Sequence, residues 1–200
     1  YCDHNPCLRL GIKKEAVREK PELPADIVQR IRKEVRHWGR RADDREAMIN
    51  SFEIAYYHGV RLSATYLNPL EDVWEQAGQW FIRFTQKGKK TSVKVLHPKL
   101  IPLFQRLRKA GRTETYRKPP RVGWLSQRWH RFLKVRGIRA ALPGVSFHST
   151  RVTVATKLAR NGVPKLMAME YVDHASTTVH RGYVRLSPQD FSKPCHEAIK

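Results

Sequence analysis

An arginine set among apolar neighbours asks for an anion. Arg61 stands in Gly59-Val60-Arg61-Leu62-Ser63, just past the predicted end of a helix, where its guanidinium would be half-buried. Its planar fork matches two oxygens of a phosphate. Taken alone, the stronger reading is a structural arginine bonded to loop carbonyls. His148 and Arg151 open another predicted helix as His148-Ser149-Thr150-Arg151. Residues at that spacing share a helix face, and a helix N-terminus is itself an anion site. Alone, the pair reads equally as a cap and a solvated charge. His174 precedes the capping run Ala175-Ser176-Thr177, and Tyr183 follows nine residues after it. A lone tyrosine is far more often a packing residue. A phenol becomes a covalent nucleophile when nearby cations offset its developing charge.

The order and spacing of these residues change that balance. Gly59-Val60-Arg61-Leu62-Ser63 resembles the T-G-[LM]-R-[IL]-S box of the tyrosine recombinases, the phage-type integrases. Gln86-Lys87-Gly88-Lys89-Lys90 resembles that family's G-K-G-x-K hairpin, with Lys87 in the place of the catalytic lysine. His148-Ser149-Thr150-Arg151 is similar to the H-x-L-R box, and Asn161-Gly162 falls where the family has its N-G turn. His174 stands 26 residues after His148, the usual separation, and His174 to Thr178 with Tyr183 is similar to G-H-S-S-x-x-T-T-x-x-Y. Asn5-Pro6 resembles the pair that closes the preceding core-binding domain, so the likeness runs over about residues 5–190. One box is weak; six in order at matched spacing are specific. There are departures. Ala64 replaces the acid that usually buttresses the first arginine, Thr150 replaces a leucine, and Asp173 replaces the glycine before the second histidine. A carboxylate beside His174 is expected to raise its pKa.

The resemblance implies site-specific DNA cleavage and rejoining through a 3′-phosphotyrosyl intermediate. Arg61 and Arg151 would clamp the nonbridging oxygens, and His174 would donate a further hydrogen bond. Tyr183 would attack phosphorus in line, His148 would manage its proton, and Lys87 would protonate the leaving 5′-oxygen. A phosphodiester's transition-state charge needs such preorganised cations, and they do the work a metal does elsewhere. The expectation is therefore no metal and no cofactor. It further implies double-stranded DNA as partner, a homotetramer on two recombination sites, and a role in DNA recombination or integration. A catalytically silent DNA-binding module and type IB topoisomerase-like relaxation are the other readings.

Elements must position these groups. Pro24-Ala25-Asp26 starts a helix with Ile27, Ile31 and Val35 on one face, stopped by Gly39. A second helix is predicted over about 44–58, ending at Gly59. Strands are predicted over 72–76, 80–84 and 92–96, with a turn at Ala77-Gly78 and Val93 and Val95 alternating with polar residues. Helix returns over about 99–109, residues 110–123 form a loop, and Ser126 caps a helix running to Arg136. Short helices are expected over 149–160, 164–171 and 176–185. The fold class is α+β and predominantly helical, with a small three-stranded antiparallel sheet. Residues 1–23 read as the end of a core-binding domain and a linker, 24–187 as the catalytic domain, and 188–200 as a tail that is a candidate to pack on a neighbouring subunit.

Composition sets the outer bounds. The 200 residues carry 39 Lys+Arg against 18 Asp+Glu, a net charge of +21. The second half holds 20 basic and 5 acidic residues, and the stretch from Arg106 to Arg139 holds 12 basic residues and one acid. Such an excess repels itself in a compact state and asks for an external anion. A nucleic acid is favoured over anionic lipid or a merely soluble surface, because Arg and aromatic residues are interleaved. Lys89, Lys90, Arg128 and Arg131 are the candidate DNA contacts. A hydrophobic share of 40% excludes a disordered polybasic tail, and no apolar run approaches the length of a membrane span. Cys2, Cys7 and Cys195 form no disulfide framework or zinc pair. The chain opens without a leader or an initiator Met, so it is expected to be a fragment of a cytoplasmic, DNA-associated protein.

Overall fold

The computed structural model describes residues 19–39, 41–85, 90–116, 123–187 and 190. Helix α1, Ala25–Val35, starts after Pro24 and buries Ile27, Val28, Ile31 and Val35. It stops before the expected Gly39, which lies in a turn at φ 82°. Helix α2, Ala42–His58, is the centre of the molecule. Ala47, Met48 and Phe52 face one apolar cluster, and Ile54 and Ala55 face another. A helix buried on several sides shows no narrow apolar stripe.

The first cluster joins α1 and α2 to α4, Trp124–Val135, and α5, Ile138–Ala141. Trp129 packs its ring on Phe52 and Phe132 at centroid distances of 5.7 and 5.4 Å. The second cluster joins the end of α2 to the sheet and to α3, Ile101–Lys109. Phe147 touches both. The sheet has the order β1 (Val73–Gln76), β2 (Gln79–Thr85), β3 (Thr91–Val95), antiparallel throughout. Ala77 and Gly78 both take positive φ, 50° and 76°, which matches a tight turn to the twist of the strands. Helix α6, Ser149–Arg160, packs on α2, and the short helices α7 (Lys165–Tyr171) and α8 (Thr177–Arg181) follow it. No helix among the described residues is long and apolar enough to cross a membrane.

Three expectations are corrected, and two short turns of helix are added. Helix α4 begins two residues before Ser126, with Gly123 at its N-cap at φ 92°, so Ser126 caps nothing and lies exposed inside the helix. The helix expected over 176–185 ends at Arg181, which leaves Tyr183 just beyond it. The chain also makes a 3-10 turn over Leu62–Thr65 directly after Arg61, and a second over Pro98–Leu100. On β3 the apolar alternation is inverted. Val93 and Val95 are 56% and 48% exposed, and Lys94 faces inward. The reason is an ion pair: Lys94 Nζ meets Asp173 Oδ2 at 2.6 Å, and the same nitrogen lies 5.5 Å from the ring centroids of Phe84 and Tyr171.

Candidate active site

Gly59 terminates α2 in the left-handed conformation, φ 64°. A Cβ there would stand 2.9 Å from Val172 Cγ1 and 3.2 Å from Val154 Cβ, so α2, α6 and the end of α7 meet at a point only glycine fits. Its carbonyl accepts a hydrogen bond from Arg151 Nη1 at 2.8 Å. Arg151, on the first turn of α6, is fully buried. Its Nη2 donates to the Asp173 carbonyl at 3.0 Å and its Nε to His174 Nε2 at 3.1 Å. The end of α2 and the turn after α7 thus grip one guanidinium, whose carbon lies 5.6 Å from the centroid of the Tyr183 ring. Burial, then the charge of Arg61, lowers the Arg151 pKa to about 10, which still leaves a cation at neutral pH.

His148 stands at the N-cap of α6. Its Nε2 lies 2.6 Å from the Tyr183 hydroxyl. Burial, with the charges of Arg151, Arg61 and Lys20, pushes its pKa down to about 4. A neutral imidazole at that distance is placed to accept the phenol proton. Tyr183 is held by its backbone: its N–H donates to the His180 carbonyl at 2.9 Å, and its carbonyl accepts from Thr156 Oγ1 at 3.3 Å. The ring of His174 packs on that of Tyr183 at 4.3 Å.

Arg61 caps the 3-10 turn and is half-buried, and its field reaches His148, Arg151 and His174. Ala64, where the acidic buttress was expected, is packed in the second apolar cluster. The expected rise in the His174 pKa is overturned. Burial, then Arg151 and His180, pushes it down to about 3. The Asp173 carboxylate is engaged with Lys94 instead. Asp173 itself sits at φ 53°, the left-handed region that the family's glycine would occupy. Asp tolerates it better than most side chains.

Arg61, His148, Arg151, His174 and Tyr183 therefore come together. Lys87 and Lys89 lie outside the described residues, on the connection between β2 and β3; Lys90 is exposed at the start of β3. Arg128 spends much of its guanidinium within the fold, 2.6 Å from Asp44 and over the Trp124 ring, whereas Arg131 is exposed. The basic stretch divides in the same way. Arg108 donates to the carbonyls of Pro69, Leu70 and Val73, Arg112 pairs with Glu46, and Arg136 pairs with Glu34. Arg106, Lys109, Arg131 and Lys134 are exposed. Two residues of the site escaped the sequence reading, Lys94 and His180. The signal for His180 was a mismatch of spacing. In the family pattern the paired threonines stand five and six places after the histidine. Thr177 and Thr178 stand three and four places after His174, and His180 holds the sixth place.

The fold is shared with solved recombinase structures. The XerH site-specific recombinase bound to palindromic difH substrate, in a post-cleavage complex, superposes with a TM-score of 0.65 at 17% identity, over 90% of this chain and 52% of that one. The same recombinase bound to difH in a pre-cleavage complex gives 0.65 at 16% identity, over 94% and 57%. XerA recombinase gives 0.61 at 16%, over 91% and 66%. The chain thus spans between about half and two thirds of these proteins' length. Sequence comparison with curated proteins gave no match. The phage integrase family model matches residues 22–190, nearly the whole described chain, and the protein belongs to that family.

Proposed function

We propose that this chain carries the catalytic domain of a site-specific DNA recombinase, over residues 24–187, and that Tyr183 is its nucleophile. The observation that carries this reading is the Tyr183 hydroxyl held 2.6 Å from a neutral His148 Nε2, with buried Arg151 beneath the ring. In the forward step the Tyr183 oxygen attacks phosphorus and its proton passes to His148. Arg61 and Arg151 hold the nonbridging oxygens as charge builds on them. The bond from phosphorus to the 5′-oxygen breaks, and Lys87 supplies the proton that leaves a 5′-hydroxyl. Attack by a 5′-hydroxyl on the phosphotyrosine reverses each transfer, so the bond energy is conserved. No step calls for a metal or a cofactor. The partners are double-stranded DNA and, for exchange between two sites, a homotetramer; DNA in the two XerH structures supports the first. Lys90 and Arg131, both exposed, are the proposed DNA contacts, together with Lys89.

A nicked, site-bearing oligonucleotide that traps the cleaved state tests the reading. The expected result is a covalent adduct that Tyr183→Phe abolishes. An adduct that survives this change refutes the nucleophile, and relaxation of supercoiled DNA by a monomer without sequence preference points to a topoisomerase. Absence of any adduct on a bound site points to a silent binding module.

A further inference from the structure

His180 is 3% exposed, on α8, and its Nδ1 lies 2.9 Å from the Nδ1 of His174. Two such nitrogens at that distance share a single proton, and the site shows which ring owns it. The Arg151 Nε–H always carries its proton, so its contact with His174 Nε2 makes that nitrogen an acceptor. The His174 ring, held neutral by burial among cations, then bears its proton on Nδ1 and donates it to His180. His180, also shifted toward the neutral form by burial, is left with its own proton on Nε2.

This resting arrangement is the wrong one for a phosphate. Phosphate oxygens only accept, so His174 serves one only when Nε2 carries the proton. Its Nδ1 then has to accept, and the group facing that atom is His180. We propose that His180 is the positioning residue that sets the tautomer of His174, accepting at Nδ1 in the free protein and donating there when a phosphate occupies the site. The exchange is balanced. The shared proton passes from His174 Nδ1 to His180 Nδ1, His180 gives its Nε2 proton to solvent, and His174 Nε2 takes one up. Each ring keeps one proton. Arg151 Nε, no longer bonded to His174, then has the same phosphate as its acceptor. Second partners of a functional histidine fix its tautomer in this way at metal sites, and their loss costs about 10–100-fold. The inference rests on the phosphoryl-transfer reading given above.

Two variants and a spectrum test it. His180→Phe keeps a ring of similar size but has no hydrogen-bonding atom. His180→Asn places an amide, which both donates and accepts, near the Nδ1 position. Adduct formation on the trapping oligonucleotide is expected to fall about 10–100-fold in His180→Phe and to return to within a few-fold of the parent in His180→Asn, with DNA affinity unchanged in both. Full activity in His180→Phe, or equal loss in both variants, overturns the tautomer role, the second outcome marking packing alone. Nitrogen-15 spectra of the free protein give a readout independent of cleavage. They are expected to show His174 protonated at Nδ1 and His180 at Nε2, and a His180 protonated at Nδ1 refutes the assignment. Should the parent form no adduct on any site, the recombinase reading fails, and the spectrum still decides the tautomer pair.

Discussion

The ion pair between Lys94 and Asp173 gives the sharpest test of how this site is held. The Lys94 and Asp173 side chains are 7% and 16% exposed, and they tie β3 to the turn that carries His174. Replacing Asp173 by Gly leaves an ammonium buried against Phe84 and Tyr171, with the Tyr171 carbonyl as its remaining partner. Breaking a buried pair from one side costs about 3–5 kcal/mol. Glycine at φ 53° returns about 1 kcal/mol of that, for a net loss of about 3 kcal/mol. Lys94→Met takes the buried ammonium away from the Asp173 carboxylate and is expected to cost a similar amount, about 3 kcal/mol. The double variant removes both charges and puts an apolar chain against the two rings. It is expected within about 1 kcal/mol of the parent, because well-packed apolar groups replace buried pairs at little cost. Urea denaturation of the four proteins measures the coupling, and each single variant should melt about 6–12 °C lower. Adduct formation should follow the same order, since the Asp173 carbonyl also holds Arg151. A double variant as unstable as the sum of the singles would refute the pairing argument.

Further outcomes follow from the geometry. Gly59→Ala forces a left-handed alanine against Val172 and Val154, and about 2–4 kcal/mol of stability should go with it, read by thermal melting, together with adduct formation because the Gly59 carbonyl anchors Arg151. His58, His148 and His174 have folded pKa values of about 3, 4 and 3, all below the unfolded value of about 6.5. Below pH 6.5 the unfolded chain binds protons that the folded one refuses, so the urea midpoint should fall from about pH 6.5 down to about pH 4, with a smaller slope in His58→Phe. Arg128→Ala should lower stability by about 1–3 kcal/mol, by leaving Asp44 unpaired, with little change in DNA affinity. Arg131→Ala should leave stability unchanged, weaken DNA binding and reduce its salt slope by about 1.

The helices with a clean apolar face were readable in advance. Ile27, Ile31 and Val35 bury one side of α1, and Trp129, Phe132 and Leu133 bury one side of α4, because a stripe at helical period has one low-energy docking. The three strands and the turn at Ala77-Gly78 were readable for the same local reason. Boundaries set by unlike partners were not. The N-cap of α4 is a glycine's φ rather than a serine's hydroxyl, and α8 stops at Arg181 to free Tyr183.

The site divides along the same line. The resemblance of their boxes to those of a known family named Arg61, His148, Arg151, His174 and Tyr183, where residue type alone left each of them open to a structural reading. Spacing holds no information on what each side chain meets across the fold. Tertiary packing alone decided that Arg151 is gripped by Gly59, Asp173 and His174. It turned Lys94 inward to meet an aspartate 79 residues away, so that Asp173 braces the sheet rather than charging His174. It also placed His180 behind His174. A sequence fixes which groups are present and how far apart they lie along the chain, but burial and partner choice, which set protonation, depend on contacts between distant segments.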